Sequence, residues 1–408
     1  MKPRTTFASE ACIIQQMTSD LPPLHDPDLP AVEILLGSEA RGPLEAVTAA
    51  TGATVGSFRP RQVTWWPGRS ITVRYTLQSE DGTPLPQVIV TAGSIPSGAA
   101  RLEADDVTLG AWALPNDPGL PGLASVLDPR TIRPMLSDLG IQAERVAVQL
   151  RAYRPARRAV VQVDTERSRI FVKLGKPDAI RRLHDTHRLL AETLPVPDSL
   201  GYDPELGILV MPAGRGETLR HTLDLAGPVP EPPNLDALIR DLPAPLPGGK
   251  SRSPIGKLGS LVDLLRRLVP DQSDRLDSLV GGIGEDPDSA RIPVHGDYHD
   301  GQLLVEEGVV TGLLDVDTHS LGHPADDPAT MLGHLRSRAP HSPEPARVVG
   351  FAADLERLWA DRLDRSDLTR RTAAVMLGLA TGPFRVQADD WPAQVRRRIA
   401  NAEVAFHA

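Results

Sequence analysis

Between Gln62 and Tyr75 apolar and polar residues alternate on both sides of Pro67-Gly68-Arg69, and after a turn at Glu80-Asp81-Gly82 the apolar run Val88-Ile89-Val90-Thr91 follows. A period of two broken by turn residues predicts three antiparallel strands. The pattern returns between Leu150 and Val163, around Arg154-Pro155-Ala156-Arg157-Arg158, and closes with Ile170-Phe171-Val172-Lys173-Leu174. Aromatic, Pro, Arg and alternating Val positions recur at a fixed offset, which reads as two copies of one three-stranded unit. In this alignment Thr91 stands where the second copy has Lys173.

Elsewhere the period changes. Residues 1 to about 60 mix Pro-rich coil with short helices such as Leu44 to Thr51. Ala179 to Leu194 places Ile180, Leu183, His187, Leu190 and Leu194 on one face, an amphipathic helix ended by Pro195 and Pro197. Gly207 to Met211 reads as a strand running into Pro212-Ala213-Gly214. Residues 226–257 hold eight prolines, which predicts a long loop or insertion. From Leu258 onward the pattern is helical, apart from one stretch near residue 300. These shifts divide the chain into an N-terminal domain (1–130), a small lobe and hinge (131–214) and a large, mostly helical lobe (215–408).

Composition narrows the class. The chain has 408 residues, 40% apolar and 4% aromatic, with a formal net charge of −9. Its N-terminus lacks the order of a secretory signal and no apolar run reaches the roughly 18 residues of a membrane span, so a cytoplasmic protein without a membrane partner is expected. The single Cys12 and the lack of zinc-ligand spacing exclude disulfide and structural-metal scaffolds. Net acidity without a basic block argues against a nucleic-acid partner and favours a cationic or neutral one.

Lysine is scarce: Lys2, Lys173, Lys176, Lys250 and Lys257 are all there is. Lys173, on a partly apolar strand, needs an anionic partner, since burying an ammonium alone costs several kcal/mol. A second stretch carries the candidate chemistry: His295-Gly296-Asp297-Tyr298-His299-Asp300-Gly301-Gln302, followed by two apolar strands about Glu307-Gly308 and by Asp315-Val316-Asp317. A hairpin brings Gln302 beside Asp315, with Asp297 reaching the same end. Carboxylates and an amide oxygen at one mouth suit a hard cation such as Mg2+, and phosphoryl transfer needs that arrangement.

At these residues the chain resembles the aminoglycoside phosphotransferase and choline kinase family, small-molecule kinases with a protein-kinase-like fold. The family pattern, H-G-D, four variable residues, Asn, an apolar run and D-x-D, stands here as His295-Gly296-Asp297, Gln302 and Asp315-Val316-Asp317. The segment Gly322-His323-Pro324-Ala325-Asp326-Asp327 is similar to a further family motif, which makes Asp327 a structural aspartate. The H-G-D-x-H-x-G-Q form and the extra N-terminal domain look like the maltokinase and amino-sugar kinase branch.

The resemblance implies an α+β, bilobal protein-kinase-like fold, with an additional N-terminal α/β domain containing a degenerate repeat of the small-lobe β-unit. It implies Asp297 as catalytic base with His295 beside it in the catalytic loop, where His295 positions the loop. Lys173 would hold the phosphates of ATP or GTP, Glu192 would pair with that lysine, and Arg157 and Arg158 would replace a Gly-rich loop. Met211 would mark the nucleotide hinge. Asp315, Gln302 and Asp317 would bind Mg2+. The acceptor implied is a hydroxyl of a sugar, amino sugar or aminoglycoside. A Ser or Thr of a peptide precursor is the alternative acceptor, and a catalytically silent nucleotide-binding or scaffold protein is the alternative class.

Overall fold

The computed structural model describes residues 24–49, 52–104, 106–249, 253–286 and 291–407, so Cys12 and the N-terminal leader lie outside the described residues. Two short helices, α1 (Ala31–Leu36) and α2 (Arg41–Thr48), precede the first sheet. That sheet comprises β1 (Val55–Trp66), β2 (Ser70–Ser79), β3 (Pro84–Ala92), β4 (Ala100–Ala104) and β5 (Val107–Ala113), in the order β1-β2-β3-β5-β4. Two further helices, α3 (Leu123–Leu127) and α4 (Pro129–Asp138), lead into the second sheet. Its strands are β6 (Val146–Arg154), β7 (Arg158–Thr165), β8 (Arg169–Leu174), β9 (Gly201–Asp203) and β10 (Ile208–Pro212), in the order β6-β7-β8-β10-β9.

The sheets therefore share helices, strand order and antiparallel pairing throughout. Register agrees too: Thr72 lies opposite Thr91, and Val160 opposite Lys173. Each first turn holds one left-handed residue, Gly68 (φ 64°) and Ala156 (φ 54°). An aspartate ahead of each repeat clasps that turn. Asp26 accepts from the Gly68 amide (2.8 Å) and Trp65 Nε1 (3.1 Å), and Asp117 accepts from the Ala156 amide (2.8 Å) and the Tyr153 hydroxyl (2.6 Å). The duplication is thus longer than three strands. Its overlooked signal is Asp26-Pro27-Asp28-Leu29-Pro30 against Asp117-Pro118-Gly119-Leu120-Pro121, where the buried leucines Leu29 and Leu120 anchor each repeat.

One element breaks the correspondence. Between β8 and β9 stands α5 (Pro177–Ala191), whereas β3 reaches β4 through Gly93–Ala99 without a helix. Ile180, His187 and Leu190 form its buried face, as the spacing requires, and Pro177 in its first turn leaves no amide stranded.

The rest of the chain is the large lobe: β11 (Glu217–Thr218), α6 (Leu219–Asp224), α7 (Pro232–Arg240), α8 (Leu258–Leu268) and α9 (Ser273–Ile283), then β12 (Ile292–Val294), β13 (Leu303–Glu306), β14 (Val309–Leu313) and β15 (Ser320–Gly322). Four helices follow, α10 (Asp326–Arg338), α11 (Pro345–Ala360), α12 (Arg365–Ala380) and the short α13 (Gly382–Arg385), before the terminal α14 (Trp391–His407). The Pro-rich stretch is less irregular than its composition predicts. Pro232 and Pro233 occupy the first turn of α7, where proline is tolerated, and its apolar Leu235 and Ile239 face the large-lobe core.

The cores interlock. Leu264, Leu268 and Phe384 of the large lobe complete the apolar core of the first sheet, and Ile89 and Trp112 of the first sheet enter the core of the second. Trp65, with its ring 6.2 Å from that of Phe384, belongs to this shared core. The bilobal fold with an additional N-terminal repeat is therefore present as expected.

Candidate active site

The site is assembled by strand and loop geometry. Lys173 sits on β8 with its side chain buried, and its ammonium bridges Asp317 Oδ1 (2.7 Å) and Asp315 Oδ1 (2.9 Å). Burial alone would lower the lysine's pKa, yet the charges of Asp317 and Asp315 hold it above its ordinary value. Burial likewise works to raise the Asp315 carboxyl, and Lys173 overrides it, keeping the group well below the usual range. Asp315 has φ 53° and ψ 46°, a left-handed conformation unusual for a non-glycine residue. That conformation turns the chain sharply where β14 ends, and it puts both carboxylates on the same ammonium.

The hairpin closes as its sequence predicts. Glu307 and Gly308 take the two positive-φ positions of the turn, and the Leu314 amide donates to the Gln302 carbonyl (2.8 Å). Gln302 Nε2 then donates to Asp315 Oδ2 at 3.1 Å. Asp315 and Asp317 thus turn two carboxylates onto one charge with the Gln302 amide beside Asp315, and carboxylates with an amide group fit Mg2+ in chemistry.

The loop carrying Asp297 is fixed from behind. Asp327, at the start of α10, accepts from the His295 amide (2.7 Å) and the Gly296 amide (2.8 Å), and burial pushes its carboxyl up to about 7. Gly296 has φ 81°, and a Cβ there would meet the Thr318 carbonyl oxygen at 2.7 Å. The His295 ring is enclosed: Nε2 donates to the Leu314 carbonyl (2.8 Å), Nδ1 accepts from the Asp297 amide (3.3 Å), and burial lowers its pKa to about 4. A neutral ring with both nitrogens engaged moves no proton. His295 is a positioning residue, placed with Asp297 in the catalytic loop but holding that loop in place.

Two expectations need correction. Glu192 follows the last residue of α5 and is exposed, and Lys173 takes its anions from Asp315 and Asp317 instead. His187 of α5 feels this charge cluster, and burial and then Lys173 depress its pKa to about 4. Met211 is buried with Ile180 and Leu209 and does not line the cavity, although Ile180 does.

Beside Asp297, sequence reasoning missed one residue. His334 on α10 stacks flat on His299 with ring centroids 3.9 Å apart, and ligand atoms of Asp297, His299 and His334 lie within 4.8 Å of one another. No local pattern marks His334; only the packing of α10 against the loop brings it there. Below them Asp300, fully buried, is ion-paired with Arg220 (3.1 Å) and Arg338 (2.5 Å).

The lysine and its two aspartates form one wall of a cavity of about 1020 Å3. Arg157 and Arg158 line it, and Arg158 lies 3.7 Å from Asp317. Its lining is basic. Asp315 and Asp317 are its acidic lining residues, against ten arginines and lysines, so the cavity suits an anion.

Residues 250–363, from the end of the Pro-rich stretch to the end of α11, match the model of the phosphotransferase enzyme family. That match bears out the resemblance at the H-G-D segment and the enzyme class. No curated protein matches the chain. Among solved structures, choline kinase from Cryptosporidium parvum Iowa II aligns at 12% identity and TM-score 0.46, covering 69% of this chain and 96% of its own. A putative aminoglycoside phosphotransferase from Ralstonia eutropha aligns at 16% and 0.44, over 68% and 96%. Macrolide 2'-phosphotransferase from Brachybacterium faecium aligns at 17% and 0.41, over 67% and 97%. Likenesses of this size carry no argument about substrate.

Proposed function

We propose, from a catalytic segment of the phosphotransferase enzyme family, that this protein transfers the terminal phosphoryl group of a nucleoside triphosphate to a hydroxyl of a small molecule. The supporting observation is the Lys173 ammonium shared by Asp315 and Asp317 at one wall of a basic cavity, with Asp297 on a rigidly held loop beside it.

Lys173 gives its charge to the triphosphate, and Arg157 and Arg158 cover the phosphates from the β6–β7 turn. Mg2+, held by Asp315 with Gln302 and Asp317, neutralises phosphate charge when bound. Asp297 orients the acceptor hydroxyl and accepts its proton as the oxygen attacks the terminal phosphorus. The phosphorus–oxygen bond to the nucleotide breaks, and nucleoside diphosphate leaves with the electron pair. His295, Asp327 and Gly296 keep Asp297 in place, and no step moves a proton through them.

The test is acceptor-dependent release of ADP or GDP with Mg2+ across sugars, amino sugars and aminoglycosides, beside Asp297→Asn. Turnover that falls by about 10²–10⁴ in the variant supports the reading. Equal turnover in both proteins, or no binding of nucleotide, overturns it.

A further inference from the structure

The first sheet builds one end of the cavity, where it meets the β6–β7 turn whose arginines cover the triphosphate. Arg61 and Gln62 of β1 and Arg74 of β2 line it, opposite Arg157 of the β6–β7 turn and Arg385 of α13. Three parts of the chain far apart in sequence thus deliver guanidinium groups to one space.

Their surroundings are poor in anions, Asp297 being the carboxylate that acts on Arg154. Among the described residues, Arg74, Arg154, Arg157 and Arg385 make no ion pair, and the two lining carboxylates are already taken by Lys173. Buried Nε of Arg74 and Oε1 of Gln62 have no hydrogen-bond partner. The arginines also crowd one another: Arg154 is lowered to about 10 by burial and by Arg158, Arg385 and Arg157, and Arg385 is lowered by burial, Arg157 and Arg158. Repulsion of this kind costs stability unless a ligand offsets it.

The framework is rigid. Arg74 lies over the Tyr153 ring at 5.9 Å, and Tyr153 is held by Asp117 (2.6 Å) and Trp112 (3.2 Å). Planar guanidinium forks fixed in this way match phosphate oxygens, and unpartnered N–H donors are what such oxygens accept. At about 1020 Å3 the cavity stands at the upper end of the range for small-ligand pockets, on the order of 300–1,000 Å3.

We propose that this end of the cavity is an anion site for the phosphate group of a ligand other than the triphosphate, with Arg61, Arg74 and Arg385 as its principal donors. The ligand is a phosphorylated small molecule, either the acceptor itself or a separate effector. The inference rests on the proposed function only in assigning the Lys173 end to the nucleotide.

Inorganic phosphate is titrated calorimetrically into the full chain, alone and saturated with AMP-PNP and Mg2+. Saturable binding in both states, weakened at least tenfold by Arg74→Gln and by Arg385→Gln in variants that melt cooperatively, is the expected result. Arg61→Gln, at an exposed position, gives the same comparison without a folding risk. Phosphate that only displaces AMP-PNP, or that binds all three variants like wild type, overturns the site. Phosphate binding in a protein that does not bind AMP-PNP overturns the proposed function and leaves the anion site standing. Turnover assays with a hexose phosphate then separate the two sources. Its consumption with stoichiometric diphosphate release identifies an acceptor, and a changed KM for another acceptor, without its consumption, identifies an effector.

Discussion

The two sheets have the same strand order, the same register and the same aspartate-clasped turn, yet they end in different chemistry. In the first, the Thr91 hydroxyl donates to the Ile71 carbonyl (3.0 Å) and lies 2.8 Å from Thr72 Oγ1, so the position is satisfied by its own sheet. In the second, Lys173 reaches out of the sheet to two aspartates from the large lobe, 142 and 144 positions onward. α5 exists only beside the second sheet and closes that side of the cavity through Ile180, Leu183 and Thr186. A strand scaffold alone therefore makes no site. The site arises where one side chain in the scaffold meets anions that another lobe holds in place.

The sharpest way to break this comparison is to exchange its two residues. Lys173→Ala should lower diphosphate release by roughly 100-fold or more, because the triphosphate loses its lysine and a buried carboxylate pair loses its counter-charge. Adding Thr91→Lys should restore nothing, since no carboxylate pair faces position 91. Recovery of turnover in the double variant would show the sheets to be interchangeable.

Acid should act on the second repeat and the large lobe. His187 and His295 are lowered to about 4 and His334 to about 3, in each case chiefly by burial. Their folded values lie below the unfolded value near 6.5, so the unfolded chain takes up protons first. Stability is full above about pH 6.5 and falls as the pH drops toward 4, by up to about 3 kcal/mol for each of His187 and His295. Denaturant melts at pH 7.5 and 5.0 measure this. A flat profile would place these rings in water.

The paired aspartates give a smaller contrast. Asp117→Asn should raise the KM for nucleotide several-fold, because the arginine-bearing turn loses a charged acceptor. Asp26→Asn, which also weakens the 3.3 Å pair with Arg267, should cost roughly 1–3 kcal/mol in denaturant melts with KM unchanged. If both variants shift KM equally, the first turn also serves the ligand. Smallest of all, Thr91→Val should cost about 1 kcal/mol and leave kcat as it was.

Local signals explain what the sequence made legible. Alternation fixed the strands, and the Glu307-Gly308 turn with its flanking apolar runs placed Gln302 beside Asp315. Lys173 stood out because an ammonium on an apolar strand needs an anion, and the two aspartates because the hairpin and the D-x-D pattern marked them; that they pair with Lys173 was not legible. Glu192 failed because its distance from Lys173 was read without the phase of α5, whose inward face carries Ile180, His187 and Leu190. His334 and the arginine-lined end were not legible. Each depends on residues brought together by packing across lobes, and the net acidity of the chain concealed how its cations are distributed.

The interlocked cores have a further consequence, for melting. Phe384 and Leu268 cannot leave the first sheet without opening the large lobe, and Ile89 and Trp112 cannot leave the second without uncovering Val161 and Val172. Neither sheet holds a complete core of its own, although the large lobe does, so heat should dismantle the two sheets together, and a chain shortened to begin after the first sheet should melt at a markedly lower temperature.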